Sequence, residues 1–340
     1  MIQPISRRSF LAASSACAAT LALPRLAFGQ TAALALTATT RTLDIDGRAA
    51  TVYGLLGSNG QSGLILDPGQ RFRVDLTNQL DVETIVHWHG QIPPNLQDGV
   101  PDSPAPKLKP GETRRYDYEP LAGSFWMHSH IPTQEMQLLA APLIVRSAAD
   151  VAADRQEVVL FLHDFSFRTP EEVLLEITGG AADGSMKGMN MGGGTSGTTA
   201  MSGMDMSGMG MGMAGMAMDL NDFNFDAYLA NDRTLSDPEV VQVENGGRVR
   251  LRIINGSAAT VYWIDTGAVE GRLVPVDGHD VQPVTGRRFG IAMAQRLDIE
   301  MDLPKGAQAF PVLALREGAR ADRDHSGAER GGSEQVRPVG

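Results

Sequence analysis

Between residues 35 and 150, apolar and polar positions alternate in short runs that turn residues interrupt. Phe72-Arg73-Val74-Asp75-Leu76 has the period of two expected of a strand with one buried face. Residues 85–89 continue that period, and Arg115-Tyr116-Asp117-Tyr118 repeats it. Residues 52–56, 64–66, 123–128 and 138–145 also read as strands, the last closing the domain. Leu43-Asp44-Ile45-Asp46-Gly47 predicts a strand and a turn, and Asp67-Pro68-Gly69 and Lys109-Pro110-Gly111-Glu112 predict turns. Residues 155–318 repeat the pattern, with a strand at 157–162 and alternating runs at 240–243, 249–254 and 295–301. Asn255-Gly256, Asp277-Gly278 and Pro304-Lys305-Gly306 separate them. Turn residues interrupt every window long enough for a long helix. The pattern therefore predicts an all-β chain of two tandem sandwiches, at 35–150 and 155–318.

Two segments break this pattern. Residues 179–218 are rich in Gly, Ser and Thr and contain eleven methionines: Met186, Met189, Met191, Met201, Met204, Met206, Met209, Met211, Met213, Met216 and Met218. So much glycine cannot bury enough apolar area to offset chain entropy, which predicts a disordered insert. A plain linker would not need methionine. Its thioether is a soft ligand that favours Cu(I), so the insert is expected to collect that ion. At the N-terminus, Ser6-Arg7-Arg8-Ser9-Phe10-Leu11 precedes a small apolar run. This reads as a twin-arginine export signal over residues 1–29, handing the folded chain to that machinery for the periplasm. The apolar run is too short and alanine-rich to span a bilayer, and no other stretch is a candidate membrane span.

Charge and cysteine narrow the chemistry. The net charge of −11, with no basic stripe, argues against a nucleic-acid partner. Losing Arg7, Arg8 and Arg25 with the signal, and no acid, would take it from −11 to −14. The single cysteine, Cys17, lies inside the signal, so the exported chain would have no disulfide and no thiolate for a metal.

Four of the seven histidines form two His-x-His pairs, His87-Trp88-His89-Gly90 and His128-Ser129-His130. Residues i and i+2 of a strand share a face, so each pair aims two imidazoles the same way. Two such strands side by side predict a metal site of four nitrogens, suited to copper, zinc, iron or nickel. Trp88 and Ser129 should point to the opposite face as packing residues. His163 is expected to be a hydrogen-bonded residue following a strand, and His279 and His325 to be solvated.

These motifs and their flanks carry a resemblance. Residues 66–90, 108–130 and 138–145 resemble the first domain of the multicopper oxidases, of the laccase-like and bacterial copper-resistance type. Residues 249–265, 271–284 and 295–304 resemble the second domain of the same family. The resemblance spans nearly all of 35–318 and implies tandem cupredoxin-like Greek-key sandwiches with copper as cofactor. It implies that His87 is a type-2 copper ligand and that His89, His128 and His130 are ligands of the type-3 pair. Gly90 would allow close packing beside the metal. Asp98 falls where the family places a carboxylate near the cluster, a candidate proton relay for reducing dioxygen to water. An ordinary turn aspartate before Gly99 would look the same. The implied reaction couples one-electron oxidation of Cu(I) or a phenol-like substrate to dioxygen reduction, and the methionine insert favours Cu(I) and copper tolerance. The alternative is a periplasmic protein that binds and sequesters copper without catalysis.

The family's third domain supplies a His-Cys-His motif and the type-1 copper. Nothing after residue 300 resembles it, so the chain is expected to be truncated and impaired as an oxidase. Residues 319–340 are polar and lack alternation. Asp322 to Arg330 can be encoded by GAT CGG GAC CAT TCT GGC GCC GAG CGC, which one base later reads Ile-Gly-Thr-Ile-Leu-Ala-Pro-Ser-Ala. That apolar text suggests a frameshift within an aberrant tail; a natural polar tail is the other reading.

Overall fold

A computed structural model describes residues 32–101, 105–177, 223–306 and 309–318, and the backbone of 333–339. The proposed signal, the methionine insert and most of the tail, including His325, lie outside the described residues.

Eight strands build the first sandwich: β1 (Leu34–Ile45), β2 (Arg48–Gly57), β3 (Leu64–Leu66), β4 (Phe72–Asn78), β5 (Val86–His89), β6 (Thr113–Tyr118), β7 (Gly123–Ser129) and β8 (Ala140–Val145). They form two four-stranded sheets, ordered β2-β1-β4-β6 and β3-β8-β7-β5. The second sandwich follows with β9 (Gln156–Phe165), β10 (Ala227–Ala230), β11 (Glu239–Glu244), β12 (Arg248–Asn255), β13 (Tyr262–Asp265), β14 (Gly271–Val276), β15 (His279–Gly286), β16 (Arg288–Ile291), β17 (Arg296–Asp302), β18 (Phe310–Arg316) and β19 (Ser333–Val339). Its sheets run β10-β9-β12-β17-β14-β15 and β11-β19-β18-β13-β16. Three short helices lie between strands: α1 (Pro132–Glu135), α2 (Ala148–Ala152) and α3 (Pro170–Ile177).

The alternation seen in the sequence becomes alternate burial. Phe72, Val74 and Leu76 of β4 are fully buried, while Arg73, Asp75 and Thr77 are half-exposed on the outer face. There Arg115 pairs with Asp75 across the strands at 2.7 Å. The apolar face packs with Trp88, Phe125, Met127 and Leu143 to form the first core. Leu160, Leu251, Ile253, Ile264 and Ile299 belong to the second core. Each such fully buried side chain contributes roughly 1.5–3 kcal/mol. The β1–β2 hairpin turns at Asp46 and Gly47, both with positive φ, as a two-residue turn of this kind requires.

The tail departs from the sequence reading. Ser333–Val339 forms β19, antiparallel to β18 and parallel to β11. A strand wedged between two others needs only its backbone groups to be paired, so the missing side-chain alternation hides it.

The described residues from Leu34 onward form one compact unit. A buried charge network joins the sandwiches. Arg252 of β12 is fully buried; its guanidinium reaches Asp298 of β17 at 2.9 Å and Asp150 of α2 at 3.3 Å. Its Nε donates to Glu157 of β9 at 2.9 Å. The network then crosses to the first sandwich, where the Ser124 hydroxyl on β7 donates to Asp298 at 2.6 Å and accepts from Arg252 at 3.1 Å. Arg250 supplies a second cation to Asp298, at 3.0 Å. Every charge here has opposite-charge partners, which offsets the cost of desolvating it. Removing one partner leaves the others stranded, so Arg252→Ala is expected to destabilise the copper-free chain by about 3–5 kcal/mol. Denaturant unfolding measures this; a loss of less than about 1 kcal/mol would show that the network does not hold the sandwiches.

Candidate metal centre

β5 and β7 pair antiparallel, with His87 opposite His128 and His89 opposite Trp126. The His130 backbone N–H donates to the Ile85 carbonyl at 3.4 Å and extends this pairing past the end of β7. His87, His89, Trp126, His128 and His130 therefore share one face. Trp88 turns into the first core, and its indole N–H donates to the Gln97 carbonyl at 2.8 Å. The Ser129 hydroxyl is buried and donates to Gln134 Oε1 at 2.8 Å. Both point away from the histidines, as the sequence predicts.

The His87 ring centroid lies 5.8, 5.6 and 5.4 Å from those of His89, His128 and His130. The His128 ring lies 5.5 Å from His89 and 5.8 Å from His130. His89 Nδ1 and His128 Nε2 face each other at 3.3 Å. Two nitrogen ligands of one tetrahedral ion, each about 2.0–2.1 Å from it, stand about 3.3 Å apart, so this pair fits a shared ion. Among the described residues, however, no three His, Cys, Asp or Glu side chains gather tightly enough to hold one ion. The four rings line a wall and do not close a cage, which refines the expectation of four nitrogens meeting at one point.

The neighbouring backbone sets which nitrogens are free. His87 Nδ1 donates to the Asp98 carbonyl at 2.8 Å, so its Nε2 carries the lone pair. His128 Nδ1 donates to the Ser129 carbonyl at 3.0 Å, again leaving Nε2 free. Burial lowers the pKa of His87, with the Asp98 carbonyl and carboxylate opposing it. Burial, then the Arg296 cation, then His128 bring His89 down to about 3. Both rings are thus neutral and able to ligate at ordinary pH.

Asp98 ends a short 3₁₀ turn (Asn95–Gln97), and its carboxylate lies 3.4 Å from His87 Nδ1. It is a turn residue whose carboxylate stands beside a histidine. Gly99 holds this turn against the strand. It has φ +80°, and a Cβ there would lie 1.8 Å from the Val86 carbonyl oxygen of β5. Gly90 has φ +87°, and a Cβ would meet Arg296 Nη2 at 2.5 Å and Phe125 Cδ1 at 2.6 Å. The space beside His89 thus admits a second-sandwich guanidinium and an aromatic ring, a different cause from the packing on a metal that the resemblance implies.

Four residues escaped the sequence reading. Trp126 stacks on His128 at 4.1 Å between centroids. Its side chain shares the histidine face because it is two positions from His128, a signal the sequence does carry. Glu135 of α1 places a carboxylate oxygen 3.5 Å from His128 Nδ1. Gln134 accepts from Thr84 at 2.7 Å and donates to the Glu83 carbonyl at 2.8 Å, fixing the turn after His130. Arg296 is buried and donates to the carbonyls of Ser124, Ala294 and Asp277 at 3.3, 2.9 and 3.1 Å. No local spacing links these last three to the histidines. His163 also differs from expectation: it lies within β9, buried, and its Nε2 has no hydrogen-bond partner among the described residues. His279 opens β15 and is exposed.

Two family models, each described as multicopper oxidase, match residues 37–150 and 197–331. The chain belongs to the multicopper oxidase family. It is 29% identical over 257 residues to copper resistance protein A of Escherichia coli, covering 72% of this chain and 42% of that protein. It is 28% identical over 257 residues to multicopper oxidase MmcO of Mycobacterium tuberculosis, covering 74% and 48%. The chain thus spans about half the length of these relatives. Among solved structures, it is similar to a blue copper oxidase from Nitrosomonas europaea, with TM-score 0.61 at 18% identity, covering 89% of this chain and 85% of that one. It is similar to the multicopper oxidase Fet3p, with TM-score 0.65 at 16% identity, covering 90% and 51%. These likenesses establish the tandem cupredoxin fold, and copper is the cofactor of the family.

Two outcomes are expected in the copper-free chain. Gly99→Ala, strained and blocked by backbone, should lower stability by roughly 1–3 kcal/mol; a thermal midpoint equal to wild type would contradict the packing. Burial takes His163 down to about 4 from an ordinary 6.5. Between these values the unfolded chain binds a proton that the folded chain refuses, so stability is lost as pH falls through that window. His163→Leu should flatten the acid-side decline of the midpoint between pH ~6.5 and ~4. Parallel profiles for the two proteins would refute this assignment.

Proposed function

We propose that this chain supplies the first-sandwich half of a multinuclear copper centre that couples one-electron oxidation of Cu(I) or a phenol-like substrate to the reduction of dioxygen to water. The observation that carries this reading is the shared wall of four imidazoles, with His89 Nδ1 and His128 Nε2 only 3.3 Å apart. Copper, when bound, passes single electrons between the reducing substrate and dioxygen. His87, His89, His128 and His130 would hold it. The Asp98 carbonyl and the Ser129 carbonyl fix the tautomers of His87 and His128. The Asp98 carboxylate, a third exposed beside His87, is placed to pass protons between solvent and the edge of the wall. Trp126 covers one side of His128 and keeps water from it.

The names of the relatives favour copper resistance as the setting, with Cu(I) as the reductant and the methionines of the insert as collectors of that ion. Export through the twin-arginine machinery to the periplasm, directed by residues 1–29, belongs to the same proposal. No helix among the described residues is long and apolar enough to cross a membrane. A second reading, a copper-sequestering protein without turnover, is favoured by one observation: all four imidazoles come from two adjacent strands and need no other part of the chain to be placed.

Metal analysis tests the shared core of both readings. The full chain is expected to retain copper after dialysis, and replacing His87, His89, His128 and His130 by alanine should remove most of it while leaving the fold intact by circular dichroism. Unchanged copper uptake would show that the histidine wall is not the binding site and would overturn the proposed centre. Dioxygen consumption with Cu(I) or a phenol then separates them, because sequestration predicts uptake without turnover.

A further inference from the structure

We propose that a cleft of about 350 Å³ between the two sandwiches, lined by none of the four histidines of the wall, binds a small aromatic carboxylate. Its lining includes Val52 of β2, Met136 after α1, Phe165 and Phe167 at the end of β9, Val173 of α3, and Phe225. Phe165 and Phe167 meet edge to face at 4.9 Å. Thr51, Gln137, Ser166 and Thr169 add polar groups to this aromatic and aliphatic lining, and small-molecule sites combine apolar walls with placed polar groups in this way. A dry apolar cavity of about 150 Å³ already holds benzene, so this cleft has room for two fused rings.

The charge at its rim selects the head group. Arg48 precedes the lining residues Ala49 and Ala50, and its guanidinium carbon lies 3.6 Å from the centre of the Phe167 ring. Arg48 is an exposed residue, and its guanidinium rests over that ring as a cation–π pair. Among the described residues Arg48 has no carboxylate partner. The other charges around the cleft are committed. Arg168 pairs with Glu176. Asp226 accepts from the Ser166 hydroxyl at 2.7 Å and the Phe167 N–H at 2.8 Å. Glu172 accepts from the Thr169 N–H at 2.8 Å. One oriented, unpaired guanidinium over an aromatic floor matches a flat ring bearing one carboxylate, which it can grip with two parallel hydrogen bonds.

The cleft lies close to the metal centre in sequence. Met136 on its wall directly follows Glu135, whose carboxylate stands 3.5 Å from His128 Nδ1. The test therefore uses the full chain without copper, so that a carboxylate cannot bind to a metal instead.

Calorimetric titration with 1-naphthoate, and with 1-naphthalenemethanol as its neutral counterpart, tests the site. Saturable one-to-one binding of naphthoate is expected, with the alcohol at least five-fold weaker. Arg48→Gln should erase that preference and leave the affinity for the alcohol unchanged. Thr51→Trp, placed on an exposed lining position where it can fill the cleft without disturbing a core, should weaken both ligands at least ten-fold. Should that variant fail to fold, Phe167→Ala, which removes a wall, should weaken both ligands as well. No binding of naphthoate, binding that survives these wall changes, or a preference that survives Arg48→Gln would each overturn the proposal.

Discussion

The register between β5 and β7 is the constraint on which the candidate centre depends. His87 sits opposite His128, and the pairing alone puts two histidines of each motif on one face. Side chains alternate along a strand, so a slip of one residue would carry one pair of imidazoles into the core and bring Trp88 or Ser129 out. Trp88 prevents this slip. It is fully buried against Phe72 at 4.8 Å and Tyr116 at 4.8 Å, and its indole N–H is bound to Gln97. The residue between the two histidines is thus the anchor that aims them. The short turn before Gly99 completes the arrangement, because the loop that carries Asp98 can lie against Val86 only if no Cβ intervenes.

The second sandwich packs against this same face. Ser124, on the strand that carries His128, bonds to Asp298 and Arg252, and the Ser124 carbonyl accepts from Arg296. Arg296 also fills the space that Gly90 leaves beside His89. Smaller apolar clusters reinforce the joint: Trp126, Ala140 and Ile144 meet Phe161 and Ile254, and Val52 and Leu138 meet Phe165 and Leu229. The charge network adds direction to this adhesion, since each guanidinium accepts partners only along its N–H bonds.

Much of this was legible in the sequence because its physical causes are local. Alternation marks β4, β12 and β17, since each has one face in a core and the other toward water or a neighbour. The His-x-His spacing places four candidate ligands on one face, and the face carrying Trp126 follows from the same period of two. The remainder depends on distant segments. Glu135 and Arg296 reach the histidines from α1 and β17, and nothing in their own neighbourhoods announces it. β19 is hidden for another reason, because backbone pairing makes it a strand without any apolar pattern. Asp98 stands between these cases: its turn was readable, but its distance from His87 was not.

Trp126 has one further consequence. Its indole is stacked on the ring of His128 at an interplanar angle of 17°, while Trp88 is buried in the first core and Trp263 is partly exposed on the second sandwich. The protein has three tryptophans, so one emitter in three lies against a candidate ligand. Were copper held by the adjoining imidazole, this indole would be the emitter in contact with its ligand, and its fluorescence would follow occupancy.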